Sequence, residues 1–413
     1  MNKLSFNSYT HCYDNGLKLI TVKRATQLVS INAGIKVGAM YESTDEKGIS
    51  HLIEHMLFKG TIKRSNEELN EELEFLGGDY NAYTDYNCTV YGITALEEEL
   101  EKSLELLSDM LINSSFNSEE LRKEKKVIAA EIKASKADIE DLSFKKVQSA
   151  AFAESPLRYD VAGTETSVQR LSRKRILDFY KKYYVPNNCV ISIVSPYNHE
   201  EVISKVEKYF STWKEKEVSK YKGTVEKNKN VIRTSFKQDI EQSTVTYLYT
   251  FNDLPKDMEL PLKILNLKLG ESSNSILFRE LREKRGLAYD IYTFLDMSMN
   301  VKSLYIYTAV SRENIRETIE AIEESIRRII NKEIVFNKKT VELMKKVHKT
   351  AVLSTLEDPK ELGSYILHQN LEDEDIYEFI SEMEKLQKLK GEDIHKVANI
   401  VLREPTIHVL KSQ

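Results

Sequence analysis

Disulfides, long linkers and membrane spans are all poorly served by this sequence. Three cysteines among 413 residues, Cys12, Cys88 and Cys189, are widely spaced, odd in number and form no CxxC pair. That excludes a disulfide framework and points to a reducing compartment. Only 7 prolines and 14 glycines leave little material for flexible connectors. No apolar run approaches the ~20 residues that cross a bilayer. The opening stretch Met1–Asn7 lacks the apolar segment and small-residue cleavage site of a signal peptide. Neither charge dominates: 60 basic against 65 acidic residues leave a net −5, so no basic field recruits nucleic acid or a membrane surface. What is present, 41% hydrophobic and 30% charged residues, suits a soluble globular chain. Its length exceeds what one core organises, so two domains are expected. The Lys-, Glu- and Ile-rich composition fits a bacterial cytoplasmic protein.

Periodicity predicts an α+β order in each half. Leu17–Val22 and Val29–Val37 read as strands, followed by helices at about 47–59 and 66–76. Gly78–Ile93 is rich in strand formers. Helices are expected at about 96–113, 118–139, 141–153 and 167–183, then a buried strand at Asn188–Ser195 and a helix at about 198–210. Asn117, with Glu120 three residues on, predicts a capping box. Residues 214–230 are polar and without apolar periodicity, a linker between a first domain (1–213) and a second (231–413). The second half repeats the order of the first. Gly77, Tyr80, Tyr83 and Thr84 each have a like residue 209 positions on, at Gly286, Tyr289, Tyr292 and Thr293. Two homologous domains follow, each a mostly antiparallel sheet covered by helices.

Only eight histidines occur, yet His51-Leu52-Ile53-Glu54-His55 gathers two of them beside a glutamate. On a helix at ~100° per residue, His55 falls about 40° from His51 and Glu54 about −60°, one shared arc. Leu52, Ile53, Met56 and Leu57 fall on the opposite, core-facing side. Imidazoles at i and i+4 can meet one Zn²⁺, and the carboxylate between them can take a proton from water. A catalytic zinc needs a third protein ligand, and a carboxylate from another helix is the natural source. The segment 118–139 carries Glu119, Glu120, Glu124 and Glu131, of which Glu124 and Glu131 share a face. The chain turns apolar just before Glu131, which predicts that this carboxylate is buried and needs a partner. Spacing alone leaves Glu131, Glu124 and a plain charged face all open.

The HxxEH of GISHLIEHMLFKGT and the segment KEKKVIAAE, ending 76 residues beyond His55, closely resemble the inverzincin metallopeptidases. That family includes pitrilysin, insulysin and the mitochondrial processing peptidase, and the length resembles its short, two-domain members. EFLGGDYNAYT and LFRELREKRGLAYDIYT look like further family signatures. The resemblance implies Glu131 as third zinc ligand, Glu124 as the residue supporting a ligand histidine, and Glu54 as general base. It further implies that Arg282 and Tyr289 steady the oxyanion from a facing domain. In a two-domain chain that domain comes from a partner, so a homodimer is expected, or a heterodimer with a homologous chain. It also implies that the strand holding Asn81 and Ala82 pairs with peptide substrate through main-chain bonds. An interior sheet strand is the alternative for that segment. Phe58 is placed to line the pocket or to join the core. A non-catalytic scaffold subunit is the competing reading, and the intact HxxEH speaks against it. The remaining histidines have no ligand spacing, and Cys88 reads as a small hydrophobe.

Overall fold

The computed structural model describes residues 5–219, 221 and 225–413. Lys220 and Lys222–Thr224, within the expected linker, lie outside the described residues. Eleven strands form two mixed sheets among the described residues. They are β1 (Asn7–Cys12), β2 (Lys18–Lys23), β3 (Leu28–Ile35), β4 (Asp79–Thr84), β5 (Thr89–Leu96), β6 (Cys189–Ser195), β7 (Ile232–Lys237), β8 (Ser243–Thr250), β9 (Ala288–Asp296), β10 (Ser303–Val310) and β11 (Thr406–Ser412). The first sheet runs β1-β2-β6-β3-β5-β4 and the second β7-β11-β8-β10-β9.

Without β1, the two orders are one pattern. A parallel pair opens each, β2 with β6 and β7 with β11, and three antiparallel pairings follow. Gly77 and Gly286 precede the matching edge strands with φ of 65° and 61°. A Cβ at either would meet nothing within 4 Å, so the left-handed backbone, not space, is what glycine serves there.

Central strand β6 is buried throughout, because helices cover both faces of its sheet. Side chains alternate between two cores. Leu19, Ile31, Ala33, Ile191 and Ile193 join the core of the helix carrying the histidines. Ile20, Val22, Val190 and Val194 face the other way, against Leu362, Ile366 and Leu367.

Leu362, Ile366 and Leu367 belong to helix Pro359–Leu371, from the second half of the chain. The chain forms two compact units that trade helices. The first takes the segments up to Ile132 and onward from Asp160 together with Leu353–Glu378; the second takes Lys133–Tyr159 and Phe379–Gln413 with the segment ending at Val352. A division at residues 213 and 231 does not capture this, since 133–159 and 353–378 each fold with the other half's sheet. Helix Ile139–Ala151 packs on the second sheet through Ser143, 2.5 Å from Thr244 Oγ1, and Phe144, stacked on Tyr307. Helix Pro359–Leu371 sits tightly on the first: a Cβ on Gly363 would lie 2.8 Å from Asn32 Nδ2. Both are capped alike. Asp138 accepts the N–H of Glu140 and Asp141, and Asp358 that of Lys360 and Glu361.

Two local expectations change, and two strands had none. The stretch 167–183 is two helices, Glu165–Arg170 and Arg173–Tyr183, because Ser172 caps the second and Leu171 is extended. Asn117 caps its helix by accepting the N–H of Glu119 and Glu120, but Glu120 does not reach back; its carboxylate takes hydrogen bonds from Asn66 and Lys123. Edge strands β1 and β7 carry polar residues and give no apolar alternation to read.

Candidate metal centre

Helix Ile49–Leu57 carries the paired histidines in the first unit. Leu52, Ile53, Met56 and Leu57 are fully buried, as the angular reading requires. The first turn of a helix leaves its N–H groups without partners. Here buried Glu42 accepts two of them, from Gly48 and Ser50, each at 2.9 Å. Burial pushes the Glu42 carboxyl up to about 7 against those bonds.

Glu124 and Glu131 arrive on helix Ser118–Ala137. The expectation that Glu131 is the buried carboxylate is reversed. The buried stripe of this helix is Leu121, Glu124, Ile128 and Ile132, and Glu131 lies off it with its side chain 48% exposed. Glu124 is the buried acid, and it has the partners a buried charge needs. Its Oε1 lies 2.9 Å from His55 Nδ1 and its Oε2 3.2 Å from Lys59 Nζ. Burial works against its charge, but the His55 hydrogen bond and the Lys59 charge hold its pKa below the usual value.

With Glu124 accepting at Nδ1, neutral His55 turns its Nε2 lone pair the other way. That nitrogen lies 3.3 Å from His51 Nε2 and 3.6 Å from Glu131 Oε2. The donor atoms of His51, His55 and Glu131 all fall within 4.8 Å of one another. Tetrahedral bonds of ~2.0–2.2 Å to one zinc set donor atoms roughly 3.3–3.6 Å apart. The donor types and spacings fit a divalent metal. Two imidazole nitrogens and a carboxylate oxygen converge there, the ligand types a catalytic zinc takes. The surrounding acids show in the pKa of His55: burial lowers it, but Glu124, Glu131 and Glu54 together raise it above its ordinary value.

Glu54 is 8% exposed, and its Oε2 accepts a 2.6 Å hydrogen bond from Thr84 Oγ1. Burial raises its pKa, opposed by that bond and by His55. The two histidines of the cradle and the carboxylate beside them thus come from one helix, and Glu131 comes from a second. In the sequence Thr84 stands out only as a repeat match. A threonine in a strand is too ordinary to signal that it orients an acid on a neighbouring helix.

Asn81 and Ala82 lie on β4, which is the edge of its sheet and not an interior strand. Phe58 follows the histidine helix and packs on the core, its ring 6.3 Å from those of Tyr80 and Tyr91. Arg282 and Tyr289 belong to the second unit and touch each other: the guanidinium lies 5.3 Å from the tyrosine ring, which is 73% exposed. Of the other histidines, His348 contacts Glu382, His395 contacts Ile329 O and His408 contacts Ser235, each a structural partnership. The cysteines are reduced, with Cys88 and Cys189 buried. Among the described residues no helix is long and apolar enough to cross a membrane.

Comparison with known proteins places the chain in a family. Residues 18–165 match the family described as insulinase (peptidase family M16), and residues 170–347 match the peptidase M16 inactive domain. A Rickettsia felis protein described as an uncharacterized zinc protease is 30% identical over 79% of this chain and 80% of its own length. The uncharacterized zinc protease YmxG of Bacillus subtilis is 29% identical over 76% of each. In fold, a protease from Helicobacter pylori superposes with a TM-score of 0.91 at 22% identity, covering 98% of this chain and 100% of that one. This chain belongs to peptidase family M16.

Proposed function

We propose that the protein is a zinc-dependent endopeptidase acting on short peptides or unfolded and leader segments. The observation that carries this reading is the convergence of His51 Nε2, His55 Nε2 and the Glu131 carboxylate, with Glu54 next to them. These three residues would hold the zinc. When bound, it supplies Lewis acidity, lowering the pKa of water and polarising a peptide carbonyl.

The remaining steps belong to the chain. Thr84 holds Glu54 Oε2, leaving Oε1 to take a proton from the attacking water. The water oxygen bonds to the carbonyl carbon, and Glu54 returns the proton to the leaving nitrogen as the C–N bond breaks. The products are a carboxylate and an amine. Glu124 keeps His55 in the tautomer that presents Nε2. Arg282 and Tyr289 supply donors to the developing oxyanion from the second chain of a dimer that closes over the substrate. The partner is another copy of this chain or a homologous one. Extended substrate adds to the sheet at β4, alongside Asn81 and Ala82, by main-chain pairing.

A non-catalytic subunit of the same fold is favoured by one observation, the match of residues 170–347 to an inactive domain. That match excludes every residue of the metal centre, so it supports an inactive second half within an active chain. Digesting a peptide library with and without chelator separates the readings. Cleavage that stops with chelator and returns with zinc is expected. No cleavage at all, from protein that binds no zinc, favours the subunit. For the dimer, chains carrying Glu54→Gln are mixed with chains carrying Arg282→Ala. Partial recovery of activity is expected, and a mixture as inactive as its components sinks the shared site.

A further inference from the structure

We propose that Tyr83 is a positioning residue for this site: bonded to His368, it fixes strand β4 against helix Pro359–Leu371, and with it Thr84 and the strand's open edge. This rests on the peptidase reading above. Side chains along β4 alternate in exposure, with Asp79, Asn81 and Tyr83 on the more exposed side and Tyr80, Ala82 and Thr84 on the other. On the first side Tyr83 OH lies 2.5 Å from His368 Nε2 with the two rings stacked, and Asp79 pairs with Lys360. Both partners come from the traded helix. On the opposite side Tyr80 stacks on Phe58 and Thr84 donates to Glu54. Strand β4 therefore links the traded helix to the general base across one residue step, from Tyr83 to Thr84.

The second unit carries the same device away from the metal centre. Tyr292, the repeat partner of Tyr83, sits on edge strand β9 and donates to Glu140 Oε1 at 2.6 Å. Glu140 lies on Ile139–Ala151, the helix traded in the other direction. The tyrosine brace thus recurs on both sheets, but only in the first does the next residue hold an acid beside a metal cradle. Burial lowers the pKa of His368, which favours the neutral ring in its bond with the Tyr83 hydroxyl. The Asp79–Lys360 pair is exposed on both sides and adds little by itself.

The test compares Tyr83→Phe with Tyr292→Phe, each losing one hydroxyl and keeping its ring. We expect Tyr83→Phe to lower kcat/KM on a quenched peptide roughly fivefold, the size of one hydrogen bond, mostly through KM. Zinc content should stay at the wild-type level, and amides of residues 79–84 should exchange faster with deuterium. Adding His368→Gln should cause no further loss, because the two act through one bond. Tyr292→Phe should speed exchange in β9 while leaving exchange in β4 at the wild-type level. Wild-type exchange in β4, or faster exchange with unchanged kcat/KM, overturns the inference. A wild-type protein that cleaves nothing would instead remove the peptidase reading, and exchange in β4 would still decide whether His368 holds the strand.

Discussion

Helix Ser118–Ala137 and helix Lys338–Glu357 begin alike, each after a Phe-Asn pair whose asparagine caps it, and each ends at an aspartate that caps the next helix. Counted from those caps, Glu124 corresponds to Met344 and Glu131 to Ala351. Met344 is buried as Glu124 is, so the packing position is the same and only the chemistry differs. The helix that follows the first long strand of the second unit, Glu259–Asn266, reads ELPLKILN and holds no histidine. One frame is thus built twice and loaded once. The fold itself asks for a methionine-like side chain at the Glu124 position. A buried carboxylate there is costly without partners, so its presence marks a task beyond folding.

The largest effect expected from this contrast is in metal content. The wild-type chain should bind one zinc, not two, and His51→Ala should reduce that to none, read by metal analysis of purified protein. Two zinc ions per chain would break the contrast. Glu54→Gln should keep the zinc and lose turnover by roughly a thousandfold, since the cradle survives and the base does not. Near wild-type cleavage by that variant would remove the role given to Glu54. Glu124→Gln sharpens the comparison further. It keeps the shape and loses the charge that orients His55, so zinc affinity should drop by about 10–100-fold in a chelator competition.

How much of this was legible without coordinates differs by residue. The histidine helix was readable because four buried apolar residues and two imidazoles obey one angular period. The repeat was readable from four matches and the element order, and the shared sheet topology carries it. The burial of Glu131 was misjudged because adjacent apolar residues in sequence point to different faces of a helix; the stripe through Leu121, Ile128 and Ile132 selects Glu124. The helix trade was invisible for a related reason. Amphipathicity says that Ile139–Ala151 and Pro359–Leu371 must each cover something, but not which sheet. Edge position, which makes β4 a candidate for substrate pairing, is a property of topology and leaves no trace in the six residues DYNAYT.

A pH test distinguishes what the second unit built in place of a metal site. Lys263, on the helix ELPLKILN, and His348, on the helix matching the glutamate helix, both bind Glu382 at 2.7 and 2.6 Å. Burial opposes the charge of Glu382, but the His348 bond and the Lys263 charge pull its carboxyl down to about 2. A depressed carboxylate stabilises the fold above its unfolded pKa, and that gain is lost as pH falls from about 4.5 through about 2. The shift is worth about 3 kcal/mol, and the side chain is only 13% exposed. Urea unfolding of wild type and Glu382→Gln should differ by that much at pH 6 and converge toward pH 2. A constant gap across the range would show that the cluster acts through shape, not charge.

The smallest effect probes the caps that the two halves share. Asn117 Oδ1 accepts the N–H of Glu119 at 2.8 Å, and Asn337 Oδ1 that of Thr340 at 2.9 Å. Asn117→Ala and Asn337→Ala should each destabilise by about 1 kcal/mol, because each removes one acceptor from the first turn of a 20-residue helix. Equal stability losses follow from the common frame. The consequences for zinc should not be equal. Glu124 stands two turns from the Asn117 cap, so fraying there loosens the residue that orients His55, while the helix after Asn337 bears no ligand. A chelator competition should therefore register Asn117→Ala and pass over Asn337→Ala. If both variants weaken zinc to the same degree, the metal site depends on global stability, and the division of labour between the two copies is not as drawn.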